Sequence, residues 1–116
     1  MELTSAHLRY LLTIYQLSRP GTEVSSAGVA RALGVSRPSV TRMLTILTEK
    51  ELITKERYGK ITVTDRGAAL ARQQMEFVRL LALRLPALGL DLTAREAEEA
   101  ALALAAALPQ RCWEER

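Results

Sequence analysis

A mainly α-helical fold with a single small hairpin is what this 116-residue sequence predicts. Three observations carry that reading. Apolar residues recur at helical spacing in several separate stretches. The period changes from 3.6 to 2 only once, between Ile53 and Thr64. The stretch Ser25–Thr64 reads short helix, Gly, second helix, then a basic hairpin with Gly at its tip. That order is a winged helix-turn-helix with a two-stranded wing, an arrangement that lays one helix in the major groove of DNA. A long helix and a C-terminal helix follow it. The expected division is residues 1–66 as the winged helix-turn-helix and 67–116 as a helical dimerisation region.

The first helix covers roughly 5–18: Leu8, Leu11, Leu12 and Tyr15 share one face, widened by Ile14 and Leu17, and Arg19-Pro20-Gly21 ends it. Ser25 can cap the second helix, whose inner face is Val29 and Leu33, with Gly34 as a left-handed stop. Val35 should plug the turn. Ser36 caps the third helix, and Pro38 is tolerated in its first turn. Val40, Met43, Leu44 and Leu47 form its inner stripe. The hairpin pairs Ile53–Arg57 with Ile61–Thr64 around Gly59. Thr64 caps a long helix over about 65–85, whose apolar residues are Leu70, Met75, Phe77, Val78, Leu81 and Leu85. Pro86-Ala87-Leu88-Gly89 breaks it. Thr93-Ala94-Arg95-Glu96 is a capping box for a last helix over about 94–108. Ala100–Leu108 is apolar on every face, so something should cover it.

Composition narrows the function classes. Aromatic residues are only 4% of the chain, so the core must be aliphatic, which suits packed helices. Through Arg66 there are ten Lys and Arg against six Asp and Glu, and after it six against seven. The basic half is the half with the helix-turn-helix pattern, which agrees with a polyanionic partner. The single cysteine, Cys112, excludes an internal disulfide and is compatible with a cytoplasmic protein. No signal peptide is visible, and Ala100–Leu108 is too short to span a bilayer, so no membrane role is expected. No enzyme is expected either. His7 is the only histidine, and the chain lacks a Ser/His/Asp order, a glycine-rich phosphate loop and a His-Glu-x-x-His pair. His7 reads as a surface or capping residue.

The chemistry concentrates on the third helix and the hairpin. Arg can pair bidentately with guanine, and Ser or Thr can reach a base or a phosphate. Ser36, Arg37, Pro38, Ser39, Thr41 and Arg42 therefore form the candidate DNA-reading face, with Thr45 beside them. Arg57 and Lys60 flank the wing's glycine and can straddle the phosphate backbone. Taken singly, each is also what a solvated helix face or a protected strand edge requires. Their joint order and spacing favour double-stranded DNA. A winged helix used for protein interaction or assembly, with only incidental DNA affinity, is the alternative. It would lack a steep salt dependence and a large specific-to-nonspecific ratio.

At three places the chain resembles the diphtheria toxin repressor family of metal-dependent winged-helix regulators: Tyr10–Leu17, Val35–Thr41, and Leu52-Ile53 with Tyr58–Gly67. The resemblance implies a repressor that binds a pseudo-palindromic operator as a homodimer. It also implies iron or manganese held between the first helix, the long helix and the next. At the corresponding positions this chain has Arg9 and Leu12, then Val78, then Ala100–Ala105. A first-row metal needs several His, Cys or carboxylate ligands converging at about 2 Å. No metal and no other cofactor is therefore expected. Only His7, Glu76 and Cys112 stand as scattered substitutes, and relatives are usually longer.

Overall fold

The computed structural model describes residues 3–18, 23–56 and 58–114. Helix α1 runs Ser5–Leu17. Thr4 Oγ1 accepts from the His7 amide and His7 Nδ1 accepts from the Thr4 amide, both at 3.2 Å. His7 is thus the capping residue that the sequence suggested. Burial, and then the nearby Lys50 charge, hold its pKa below the ordinary histidine value. Both favour the neutral ring that Nδ1 needs in order to accept. The expected terminator, Arg19-Pro20-Gly21, lies outside the described residues. What closes α1 is Ser18, whose hydroxyl donates to the Ile14 carbonyl at 2.8 Å.

Helix α2 is Ser26–Leu33, capped by Ser25 and stopped by Gly34 at φ 66°. Helix α3 is Arg37–Glu49, capped by Ser36 with Pro38 in its first turn. Strands β1 (Ile53–Lys55) and β2 (Ile61–Val63) are antiparallel, with Ile53 opposite Val63 and Lys55 opposite Ile61. The Ile61 amide also donates to the Val24 carbonyl at 3.1 Å, which ties the wing to the start of the helix-turn-helix. Gly59, at φ 83°, makes the turn that a side chain would strain.

Helix α4 is Asp65–Arg84. Its buried line is Gly67, Ala71, Gln74 and Val78. Of the apolar residues expected on this helix, Val78 alone joins that line. Leu70, Met75, Phe77, Leu81 and Leu85 sit half-buried on the flanks, because small residues at 67 and 71 let the helix backbone close in on α1 and the wing. Leu85–Leu88 is a 3₁₀ turn ended by Gly89 at φ 85°, as the Pro-Gly pair required. Helix α5, Ala94–Ala107, starts with the expected capping box. It lays Ala97, Ala101 and Ala105 on α4. Ala100, Ala103, Leu104 and Ala107 stay exposed, so α4 covers only one face of the apolar run.

One buried cluster joins Leu8, Leu11, Ile14, Val29, Val40, Leu44, Leu47 and Leu52 with Ala71 of α4 and Trp113 near the C-terminal end. The Leu3 amide donates to Gln110 Oε1 at 3.1 Å, so the last described residues close back on the first. The α4–α5 hairpin projects from this core, and the molecule measures 50 Å by 31 Å by 26 Å. No helix among the described residues is long and apolar enough to cross a membrane.

Candidate nucleic-acid interface

Helix α3 hangs on Val40, Leu44 and Leu47, which bury against α1, α2 and the start of β1. The helical period then aims Pro38, Arg42, Thr45 and Glu49 in a line directly away from the core. Arg37 and Thr41 form one shoulder of that line. All six are exposed. Neither Arg37 nor Arg42 has an ion pair among the described residues, so both guanidinium groups are free to receive a ligand. Glu49 closes the line with a negative charge, which leaves the first two turns as the part suited to a polyanion.

The serines at the helix start behave differently from the arginines. Ser36 Oγ accepts from the Ser39 amide at 3.3 Å and lies 2.9 Å from Ser39 Oγ. Both hydroxyls are engaged in the cap, which holds the helix N-terminus open toward solvent. Thr45 Oγ1 donates to the Thr41 carbonyl at 3.1 Å and keeps only its lone pairs for a partner. Thr41 is left as the hydroxyl with a free donor.

At the wing tip the Glu56 amide donates to the Lys60 carbonyl at 2.8 Å and the Gly59 amide to the Glu56 carbonyl at 2.9 Å. Lys60 is exposed there without an ion pair among the described residues. Arg57, the other expected wing contact, lies outside the described residues. Tyr58 is 92% exposed at the same tip and was missing from the expected set. Its signal in the sequence is an aromatic residue set beside a turn glycine with no apolar neighbour to pack on.

The expected metal positions lie on α1, α4 and α5, which pack on one another, but they have the wrong chemistry. Arg9 is exposed, while Leu12 and Val78 are buried among aliphatic side chains. The stretch Ala100–Ala105 has no donor side chain. Among the described residues no group of three His, Cys, Asp or Glu converges on one point. Glu76 and Cys112 line a common cleft beside Trp113, but His7 is held in the α1 cap and is not part of it. These residues do not fit the metal that the resemblance implies.

Residues 2–61 match the family described as iron dependent repressor, N-terminal DNA binding domain. The fold is similar to that of the manganese regulator SloR, with 29% identity, TM-score 0.73, and coverage of 93% of this chain and 49% of that one. It is also similar to a manganese-dependent transcriptional repressor in complex with manganese, at 28% identity and TM-score 0.71, covering 91% and 48%. The chain thus spans about half the length of these two regulators. ZitR of Lactococcus lactis in complex with DNA shares the fold at 23% identity and TM-score 0.63, covering 92% and 74%. With just over half of its residues matched, the chain belongs to the iron dependent repressor family of DNA-binding transcription regulators.

Proposed function

We propose that this chain is a sequence-specific transcriptional repressor that binds duplex DNA as a homodimer and works without a metal ion. The observation that carries the reading is the outward line of α3. Together with its shoulder it puts two arginines without an ion pair among the described residues, a proline and a free threonine hydroxyl on the first two turns of a helix packed on the core. Residues 1–66 would read the operator and 67–116 would join the protomers. Two copies of α3 would then enter successive major grooves about one helical turn apart on a pseudo-palindromic site. Arg37, Pro38, Thr41 and Arg42 would reach base edges, and the Ser36–Ser39 cap would present the helix N-terminus to a phosphate. Lys60, Tyr58 and Arg57 would meet the flanking backbone.

Selection of bound duplexes from a random library, followed by affinity measurement across a salt series, tests the reading. A protein-interaction module would enrich no half-site and show a shallow salt slope. Arg42→Ala should weaken cognate binding by about 1–3 kcal/mol and relax preference at one base pair. Lys60→Ala should weaken all sequences alike and reduce the salt slope by about 1. An unchanged sequence logo for Arg42→Ala would remove that residue from base recognition. A cognate-only loss for Lys60→Ala would turn the wing into a sequence reader.

Arg9, Leu12, Val78 and the alanines at the junction support metal independence, because none of these side chains offers a donor to a cation. Operator affinity should agree within about 0.5 kcal/mol between excess chelator and saturating manganese, iron or zinc, against the 1–3 kcal/mol typical of an allosteric ligand. Calorimetry should find no manganese or iron site tighter than about 100 μM. A micromolar site that raises operator affinity tenfold would sink this part of the reading.

A further inference from the structure

At the junction of α1, α4 and α5 lies a cavity of about 680 Å³. Gln74 of α4 lines it and is only 1% exposed, yet its Oε1 has no hydrogen-bond partner. A buried amide oxygen left unpaired has lost its water without compensation, so one in a packed helix face calls for an occupant. Around it the wall is mainly aliphatic, from Leu12, Leu102, Ala103 and Ala106. Two charged side chains also line the cavity. Glu99 is already paired with Arg95 at 3.5 Å. Arg9 has no ion pair among the described residues, so the free charge is positive.

From this geometry we infer that the cavity is a binding site for a small organic anion with an apolar body and an O–H or N–H donor. The donor satisfies Gln74 Oε1, the body displaces water from the aliphatic wall, and the anionic group meets Arg9. A cation is disfavoured by the same arginine. The pieces come from three helices: α1 belongs to the helix-turn-helix, while α4 and α5 form the projecting hairpin. A ligand that touches all three fixes the angle between the DNA-reading part and the hairpin, so occupancy is coupled to operator affinity. That coupling, though not the binding itself, rests on the proposed function above.

The probe is 8-anilinonaphthalene-1-sulfonate, which has an aromatic body, an aniline N–H and a sulfonate. Fluorescence titration of the full chain without DNA should show one saturable site per protomer. Gln74→Leu should weaken it at least tenfold, and Ala106→Phe, which fills the cavity, should abolish it. Ala32→Ser, at an exposed position of α2 outside the cavity lining, should leave it unchanged. Gln74→Leu should also raise the melting midpoint of the unliganded protein by several degrees. That result would show both that the variant folds and that the amide was unpaired. A lowered midpoint would mean that Gln74 is already satisfied, and would overturn the proposal. So would probe binding unaffected by Gln74→Leu and Ala106→Phe, or no saturable binding at all. With the selected operator, saturating probe should change affinity at least threefold in the native chain and not in Gln74→Leu. A failure in that last arm alone counts against the coupling, and a chain that selects no operator counts against the proposed function instead.

Discussion

Gly67→Ala should destabilise the protein by about 3 kcal/mol, although the same change in an ordinary helix gains 0.5–1 kcal/mol. Gly67 lies one turn into α4, and its amide donates to Thr64 Oγ1 at 3.0 Å. Thr64 Oγ1 in turn donates to the Glu51 carbonyl at 2.8 Å, and the Thr64 amide to the Leu52 carbonyl at 3.1 Å. These bonds draw the start of α4 onto the segment between α3 and β1. A methyl group on Gly67 would land on the Leu52 carbonyl oxygen, and it would also lie 3.0 Å from Leu52 C and Val63 Cγ1. The obstacle is backbone, and Leu52 itself is fully buried, so neither side can step aside. Moving α4 outward would break the Thr64 bonds and uncover Ala71. The melting midpoint should fall by roughly 12–24 °C, at 4–8 °C per kcal/mol for a small domain. Because helix propensity predicts a rise, the sign of the shift decides the matter. A more stable Gly67→Ala protein would show that α4 is not held against Leu52.

That close approach was only half legible in the sequence. Thr64 as a cap and Gly67 three residues on were visible, since capping is a local chemistry written in adjacent residues. The reason for glycine was not, because the obstacle lies fifteen residues earlier in the chain. The same division runs through the molecule. Ser25, Ser36, Thr93 and Glu96, Gly34 and Gly59 all act at the ends and turns where sequence put them. The outward face of α3 also followed from period alone. In contrast, of the apolar residues read on α4 only Val78 lies on its buried line, and the other places went to Gly67, Ala71 and Gln74. A hydrophobic stripe ranks residues by size, whereas a helix pressed against two neighbours buries whatever is small enough to let it in. Gln74 is the clearest case. Nothing local marks a glutamine as buried, and only the meeting of three helices makes it so. Tyr58 was passed over for the opposite reason, since exposure of an aromatic residue is decided by what fails to pack on it.

Leu83→Glu should convert the proposed dimer to monomer and take most of the operator affinity with it. Leu83 and Leu88 are each 74% exposed on the projecting hairpin, with Leu90 at 48%, Leu80 at 46% and Leu104 at 37%. A hairpin that presents several leucines to water far from the main core has the character of half an interface. In a two-fold dimer each substitution enters twice, and burying an unpaired carboxylate costs several kcal/mol per copy. Two such costs raise the dimer dissociation constant by about 10³-fold or more, at tenfold per 1.4 kcal/mol. The isolated protomer should hardly notice. The side chain is mostly in water already, and the new carboxylate stands one helical turn from Arg79, where exposed pairs are mildly favourable. Leu104→Glu is the weaker version, because that side chain is more covered within the protomer and the change would also disturb the α4–α5 packing. Loss of the partner removes the second half-site, and linked binding is worth about 10²–10⁴ in affinity. Sedimentation and operator titration on the same samples should therefore change together, while the circular dichroism spectrum stays that of the native chain. A native chain that sediments as a monomer at concentrations saturating its operator would overturn the dimer, and the exposed leucines would then need another partner.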